Sequence, residues 1–298
     1  MHFLPLVLLP LAAQAINIVS SNDDGWAEKN IRTLYDSLTA AGHQVVISGP
    51  AENQSGTGSR DEPPSNLTQP CEFNSCPPGR AYGHNASQPH WNYVNSYPVT
   101  SMKHGIQSLA SNFFGGPPDL AVAGPNVGAN IGLAVFLSGT VGATTYAANE
   151  AKIPAIAFSG MSGDALAWNE STPAYSKIYA DLAAKVTDRV VAAGTPYLPA
   201  DIWLNVNFPE VTDTSCTSVD DFQFVLTRIL GAVPLVTPDD VETCGGKRLP
   251  SETSVILRDG CYASISVGTA SDKKDANATM QAVVLDKLGE LLACLPSD

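Results

Sequence analysis

The chain has 298 residues, 44% of them hydrophobic and 15% charged, which suffices for one large globular domain or a domain with an appendage. So low a charge content excludes an intrinsically disordered chain, and a formal net charge of −13 excludes nucleic-acid binding through a basic surface. A small anionic substrate remains compatible, because a bound cation can dominate the local field.

Residues 1–15 read as a secretory signal. The apolar run from Phe3 to Ala13 is too short to span a bilayer, and Ala13-Gln14-Ala15 fits a small-x-small cleavage site, although the segment before the run carries no Lys or Arg. The mature domain is then 16–298, secreted and without a membrane span. A short apolar strand, Ile16 to Val19, leads into Ser20-Ser21-Asn22-Asp23-Asp24-Gly25. Ala27, Ile31, Leu34, Tyr35 and Leu38 follow at helical spacing up to a stop at Gly42, with His43 placed on the surface at the helix end. A second strand, Val45 to Ser48, completes a βαβ unit and implies a parallel sheet.

Residues 51–96, rich in Pro, Ser, Asn, Gly and Gln, break this rhythm. They read as a long loop over the C-terminal edge of the sheet, with 60–96 as an insert. His104 is read as beginning a helix. The alternation then resumes with strand Leu120–Ala123, a small-residue helix from Thr140 to Lys152, and strand Ile153–Phe158. An amphipathic helix marked by Tyr175, Ile178, Tyr179, Leu182, Val186 and Val190 precedes strand Ile202–Asn207. The predicted class is α/β: a Rossmann-like, doubly wound, mostly parallel sheet. Residues from about 210 to 298 form a C-terminal β-hairpin and helix extension, ending in a helix from Asp286 to Cys294.

Six cysteines, at 71, 76, 216, 244, 261 and 294, suit three disulfides in an oxidising compartment. Cys71–Cys76 is the favoured local pair and the rest of the connectivity stays open. No Cys-x-x-Cys or His-x-x-x-His spacing supports zinc. Five Asn-x-Ser/Thr sequons begin at Asn53, Asn66, Asn85, Asn169 and Asn277, as in a secreted glycoprotein.

Three loops follow predicted strand ends, where doubly wound sheets hold ligands. The first carries Asn22, Asp23 and Asp24. The second is Asn53-Gln54-Ser55-Gly56-Thr57-Gly58. The third runs from Gly124 through Asn126 and Asn130 to Gly132, leading to Ser138-Gly139-Thr140 at a helix start. Adjacent carboxylates repel, a cost that a divalent cation would offset, while a Ser hydroxyl and an Asn carbonyl supply neutral oxygen ligands. Free N–H groups and a hydroxyl at Gly139-Thr140 form a cradle for phosphate.

These motifs, with Pro118-Asp119-Leu120, Ile153-Pro154-Ala155-Ile156-Ala157 and Leu204-Asn205-Val206-Asn207-Phe208-Pro209, run in the order found in a known family. Over residues 16 to about 210 the chain resembles the SurE-type (survival protein E) metal-dependent phosphatases and nucleotidases. The tail matches only around Gly260 to Val267. The resemblance implies one divalent metal ion per subunit, Mg²⁺ or Mn²⁺, held by Asp23, Asp24, Ser55 and Asn126. It also implies hydrolysis of phosphate monoesters, typically nucleoside monophosphates, with broader acid phosphatase activity in fungal-looking members. Asn22, Asn130, Ser138, Gly139 and Thr140 fall where phosphate binding or support of the metal is expected, and the resemblance suggests a homodimer formed partly by the tail. The chain departs from the family at Tyr97 to Ser101 and in the cysteine-bearing insert, and its expected secretion is atypical of the bacterial members.

Asp23 and Asp24 are the expected catalytic pair, anchoring the metal and accepting a proton from the attacking water. A phospho-aspartyl intermediate would favour Asp-x-Asp, with both carboxylates on one side of an extended chain, and adjacent residues do not provide that. No histidine is assigned a catalytic role. Trp91, Tyr93 and Tyr97 either stack a nucleobase or pack the insert. The alternative reading is a secreted binding or effector protein that keeps the fold without catalysis. Because the Asn53 sequon overlaps Ser55, a glycan there would crowd the site. Asn53 is therefore expected to remain unmodified, and glycopeptide mapping of the active protein that found it fully occupied would contradict the placement of Ser55.

Overall fold

The computed structural model describes residues 14–296, so the signal expected at 1–15 lies outside the described residues apart from Gln14 and Ala15. Nine strands among these residues form one sheet: β1 (Asn17–Ser21), β2 (Gln44–Pro50), β3 (Tyr82–Asn85), β4 (Gln88–Val94), β5 (Leu120–Val127), β6 (Ala155–Gly160), β7 (Ile202–Phe208), β8 (Gln223–Thr227) and β9 (Tyr262–Thr269). Their order is β3-β4-β2-β1-β5-β6-β7-β9-β8. From β4 to β7 all neighbours are parallel.

Parallel strands buried on both faces need apolar residues at consecutive positions, and β1 shows the consequence. Its Ile18 joins the core under α1 (Lys29–Ala40), while the neighbouring Val19 joins the opposite core under α2 (Pro98–His104). A π-type turn at Gly105–Leu109 connects α2 to α3 (Ala110–Phe114). The second layer is completed by α4 (Gly139–Asn149), and the first by α5 (Ala174–Ala192), whose buried Ile178, Leu182, Val186 and Val190 recur at one-turn spacing. Two short helices of the C-terminal region, α6 (Glu252–Ile256) and α7 (Ala278–Leu288), complete the chain. No helix among the described residues is long and apolar enough to cross a membrane.

The chain steps from β1 to β2 on one side and returns to β5 on the other, so the sheet switches direction between β1 and β5. The crevice outside their C-terminal ends is where open α/β sheets bind ligands.

Three local expectations are corrected. The segment read as loop contains the hairpin β3–β4, and β4 extends the sheet in parallel beside β2, Ile47 opposite Trp91. Asn85 Oδ1 accepts from the Ser87 and Gln88 amides to make the turn, and Tyr93 packs on Trp26 with ring centroids 5.2 Å apart. Residues 60–81 are irregular except for a 3₁₀ turn at Glu72–Asn74, closed by the expected Cys71–Cys76 disulfide. In the C-terminal extension the expected hairpin is instead a parallel pair: β8 lies beside β9, and β9 is antiparallel to β7. A parallel pair needs a crossover, which the chain from Arg228 to Cys261 supplies. The last helix begins earlier than expected, because Asn277 caps it by accepting from the Met280 amide, and it stops at Gly289, with φ +48°.

Among the histidines, His43 is buried rather than on the surface. Its Nδ1 accepts from the Ile16 amide and its Nε2 faces Asp188 at 2.9 Å. His104 ends α2 instead of beginning a helix and stacks on Tyr82. The remaining disulfides, Cys216–Cys261 and Cys244–Cys294, both lie in the extension. Arg228 adds a buried ion network there, reaching Asp240 at 2.6 Å and Asp275 at 3.2 Å.

Cross-links stabilise in proportion to the logarithm of the loop they close. Replacing Cys244 and Cys294 by Ser, which opens a separation of 50 residues, should cost about 4 kcal/mol, whereas Cys71 and Cys76, only 5 apart, should cost about 2 kcal/mol. Denaturant unfolding of the two double variants checks the order.

Candidate active site

β1 ends at Ser21, and Asn22, Asp23 and Asp24 turn over its C-terminal end. Both carboxylates are buried, Asp23 at 2% exposure and Asp24 at 3%, and neither pairs with a basic side chain among the described residues. What holds them is a set of neutral donors. Asp23 Oδ2 accepts from the Gly139 amide at 3.0 Å and Oδ1 from the Thr140 hydroxyl at 2.5 Å, both at the start of α4. The positive end of that helix favours an anion. Asp24 Oδ2 accepts from the Val127 amide at 2.9 Å, at the end of β5. A Cβ on Gly139 would stand 2.8 Å from Asp23 Cβ and from Pro98 Cγ, so only glycine allows α4 to approach this closely.

The other two loops are fastened to the same point. The Gln54 amide donates to Asp23 O at 2.7 Å, which sets the exposed Ser55 beside the acid pair. Gly58 carbonyl lies against Gly142 of α4, where a side chain would collide with it. Asn126 Nδ2 donates to Val127 O and Gly128 O, at 3.1 and 2.6 Å, so its Oδ1 is left for a ligand. Asn22 Nδ2 donates to Gly25 O, while its Oδ1 is buried without a partner. Ser138 caps α4 by accepting from the Val141 amide. Of the residues expected to bind phosphate, Gly139 and Thr140 thus spend donors on Asp23. Asn130 is held by its backbone and its amide nitrogen, which donates to Ser159 Oγ at 2.9 Å.

Burial pushes the Asp23 carboxyl above its usual range in spite of the Thr140 and Gly139 donors. Asp24 is pushed well above it, by burial first and then by the charges of Asp23, Glu28 and Glu72. Such a pair resists carrying two negative charges unless a cation is present. The donors therefore fit a hard divalent ion: two crowded buried carboxylates, an Asn carbonyl, a Ser hydroxyl and an orphaned Asn22 oxygen nearby.

The aromatic residues pack the protein. Trp91 and Trp26 sandwich the Arg32 guanidinium, Tyr93 lies on Trp26, and Arg60 covers Tyr97. Lys103 pairs with Asp61 at 2.9 Å. Sequence reasoning missed Glu72, whose carboxylate stands over Gly25, and the buried carboxyl of Glu252. Asn205 and Asn207 belong to the Leu204–Pro209 motif, which by itself gives them no role. The signal for these two was their i, i+2 spacing in an otherwise apolar strand, which puts two amides on one buried face.

An acid pair at the switch point of a parallel sheet, surrounded by anion-binding donors, defines an α/β enzyme acting on an anionic ligand. The family model for Survival protein SurE matches residues 18–230. An acid phosphatase of Yarrowia lipolytica is 35% identical over 281 residues, covering 84% of this chain and 78% of that protein. A 5'-nucleotidase SurE of Lawsonia intracellularis is 29% identical over 197 residues, 66% of this chain and 67% of that protein. The SurE protein of Aquifex aeolicus shares the fold with a TM-score of 0.60 at 19% identity, covering 91% of this chain and 98% of that one. The chain belongs to the SurE family and is a phosphomonoester hydrolase of the phosphatase and nucleotidase class.

Three buried carboxyls near these loops titrate far from their ordinary value. Burial raises Glu28 from 4.5 to about 7, and Glu72 and Glu252 from 4.5 to about 8. The folded state then binds more protons than the unfolded chain, so this contribution is complete below pH 4.5 and is lost as pH rises through 7 to 8. The melting temperature of the metal-free protein should accordingly fall from pH 5 to pH 8, as scanning calorimetry would show.

Proposed function

We propose that the chain is a secreted, divalent-metal-dependent phosphatase whose metal is held by Asp23, Asp24, Ser55 and Asn126. The observation that carries this is the burial of two adjacent carboxylates without a basic partner among the described residues. When bound, Mg²⁺ or Mn²⁺ supplies Lewis acidity and a water acidic enough to attack phosphorus.

The protein's own residues do the rest. Asp23 is fixed by Gly139 and Thr140 and serves as the rigid anchor. Asp24, which spends only Oδ2 on the Val127 amide where Asp23 spends both oxygens, is the proton acceptor for the attacking water. Asn22 Oδ1 orients that water by accepting from it. Ser138 accepts from Val141 with its lone pair and keeps its own proton for a phosphoryl oxygen. Asn130 sets the remaining oxygens. The disulfides support an oxidising compartment, the sequence of residues 1–15 supports release after their removal, and the family resemblance supports a homodimer.

Release of phosphate from p-nitrophenyl phosphate and from AMP tests this reading. Chelation should abolish turnover and added Mg²⁺ or Mn²⁺ should restore it. Asp23→Asn and Asp24→Asn should each lower kcat by about a thousandfold, while in Asp24→Asn, which keeps an acceptor for the Val127 amide, the metal-free melting temperature holds or rises as like charges are removed. Full activity in both variants would place the site elsewhere. A wild-type protein inactive with every divalent metal would favour the binding-protein reading.

A further inference from the structure

The loop bearing Asn130 is gripped by an amide network that runs through the sheet into the C-terminal extension. Asn207 Oδ1 accepts from the Asn130 amide at 2.8 Å. The Asn130 carbonyl accepts from Asn205 Nδ2 at 2.8 Å and from Asn207 Nδ2 at 3.2 Å. With Ser159 on the side chain, Asn130 is held at its N–H, its C=O and its amide nitrogen. The network does not end at β7. Asn205 Nδ2 also donates to Glu252 Oε2 at 2.9 Å, and Glu252 Oε1 accepts from the Gly132 amide at 2.9 Å. Ser266 Oγ donates to the same Oε2 at 2.8 Å and meets Thr227 Oγ1 at 2.7 Å. Glu252, Asn205 and Ser266 have no solvent exposure at all.

From this geometry we propose that Glu252 is a positioning residue for phosphate binding: it fixes both ends of the Asn130–Gly132 turn, one directly and one through Asn205. The inference rests on the phosphatase reading, in which Asn130 meets the phosphoryl group. It makes the C-terminal extension, which lies outside the catalytic loops, a working part of the site. A carboxyl is specifically required. Its two oxygens must both accept, Oε1 from Gly132 and Oε2 from Asn205 and Ser266. A glutamine has one acceptor oxygen, so in either orientation it sets an NH₂ group against a donor. Glu252→Gln keeps the volume but breaks one of the two grips.

The test compares Glu252→Gln, Ser266→Ala and Asn130→Ala with the wild type. The readings are kinetics on p-nitrophenyl phosphate, inhibition by inorganic phosphate, and hydrogen exchange of segment 127–137 in the metal-free protein. Glu252→Gln should lower kcat/KM by about tenfold, mainly through KM, with a matching loss of phosphate affinity. It should also raise exchange in segment 127–137, while Ser266→Ala, which removes the arm leading away from the loop, changes none of these by more than about twofold. Asn205→Ala should reproduce Glu252→Gln, and the double variant should be no worse than either single one. Equal losses in Glu252→Gln and Ser266→Ala, following their melting temperatures, would make Glu252 a core residue and overturn the proposal. If Asn130→Ala weakens phosphate while Glu252→Gln does not, the proposal fails and the phosphatase reading stands. A wild type that releases no phosphate from any monoester would overturn that reading and this inference together.

Discussion

Two carboxylates share the end of β1 almost wholly buried, and the neighbouring residues are arranged around the cost of keeping them there. An ammonium or guanidinium group beside them would cancel the charge permanently. The chain offers neutral donors instead: two from the first residues of α4 and one from the end of β5. These orient the oxygens and reduce the repulsion without abolishing it. The placement of the site follows from the winding of the sheet. Only between β1 and β5 do the outgoing and returning halves of the chain leave their loops facing one another.

The loops are also built as one body. The strand-end turn, the Ser55 loop and the start of α4 meet through the Gln54 bond to Asp23 and through the contact of Gly58 with Gly142. On the far side, β7 contributes two amides that hold Asn130. Small residues at 58, 139 and 142 and polar ones at 159, 205 and 207 let backbone segments approach closely and stay registered.

Much of this was legible in the sequence because parallel strands buried on both faces leave continuous apolar runs. Ile16–Val19, Val45–Ser48 and Ile153–Phe158 stand out from the polar turns that follow them. Asp23, Asp24 and Asn126 could be placed at strand ends for the same reason. The hairpin was hidden because its strands, Tyr82–Asn85 and Gln88–Val94, carry Gly, Pro, His and Asn. They are held by partners distant in sequence, Ile47 and Trp26, more than by local preference. The parallel pairing of β8 with β9 was equally invisible, since nothing in Gln223–Thr227 fixes the direction of a neighbour. Helix α7 was misplaced by its apolar tail, Leu291-Leu292, which the chain uses in a 3₁₀ turn at Gly289–Leu291 and in the bridge of Leu292 to Phe224. Glu252 lay in a region without periodic pattern, and its role depends on a partner at Asn205 that only the folded sheet brings near.

The two flanks of the sheet also bear on how the protein behaves in company with its own copies. A parallel sheet left open exposes rows of unpaired peptide groups, an invitation to strand-to-strand association. At one flank the outermost strand, β3, has only four residues and partly exposed side chains, too short a template to propagate. At the other, β8 has its outer edge occupied from within the chain. Ala293 donates to the Phe224 carbonyl, and the backbone of Arg228 is shared with Pro250 and Glu252. The Cys244–Cys294 bond anchors the segment that masks it. That disulfide thus closes a sheet edge as well as a loop, and its reduction would expose an adhesive surface even where the fold survived.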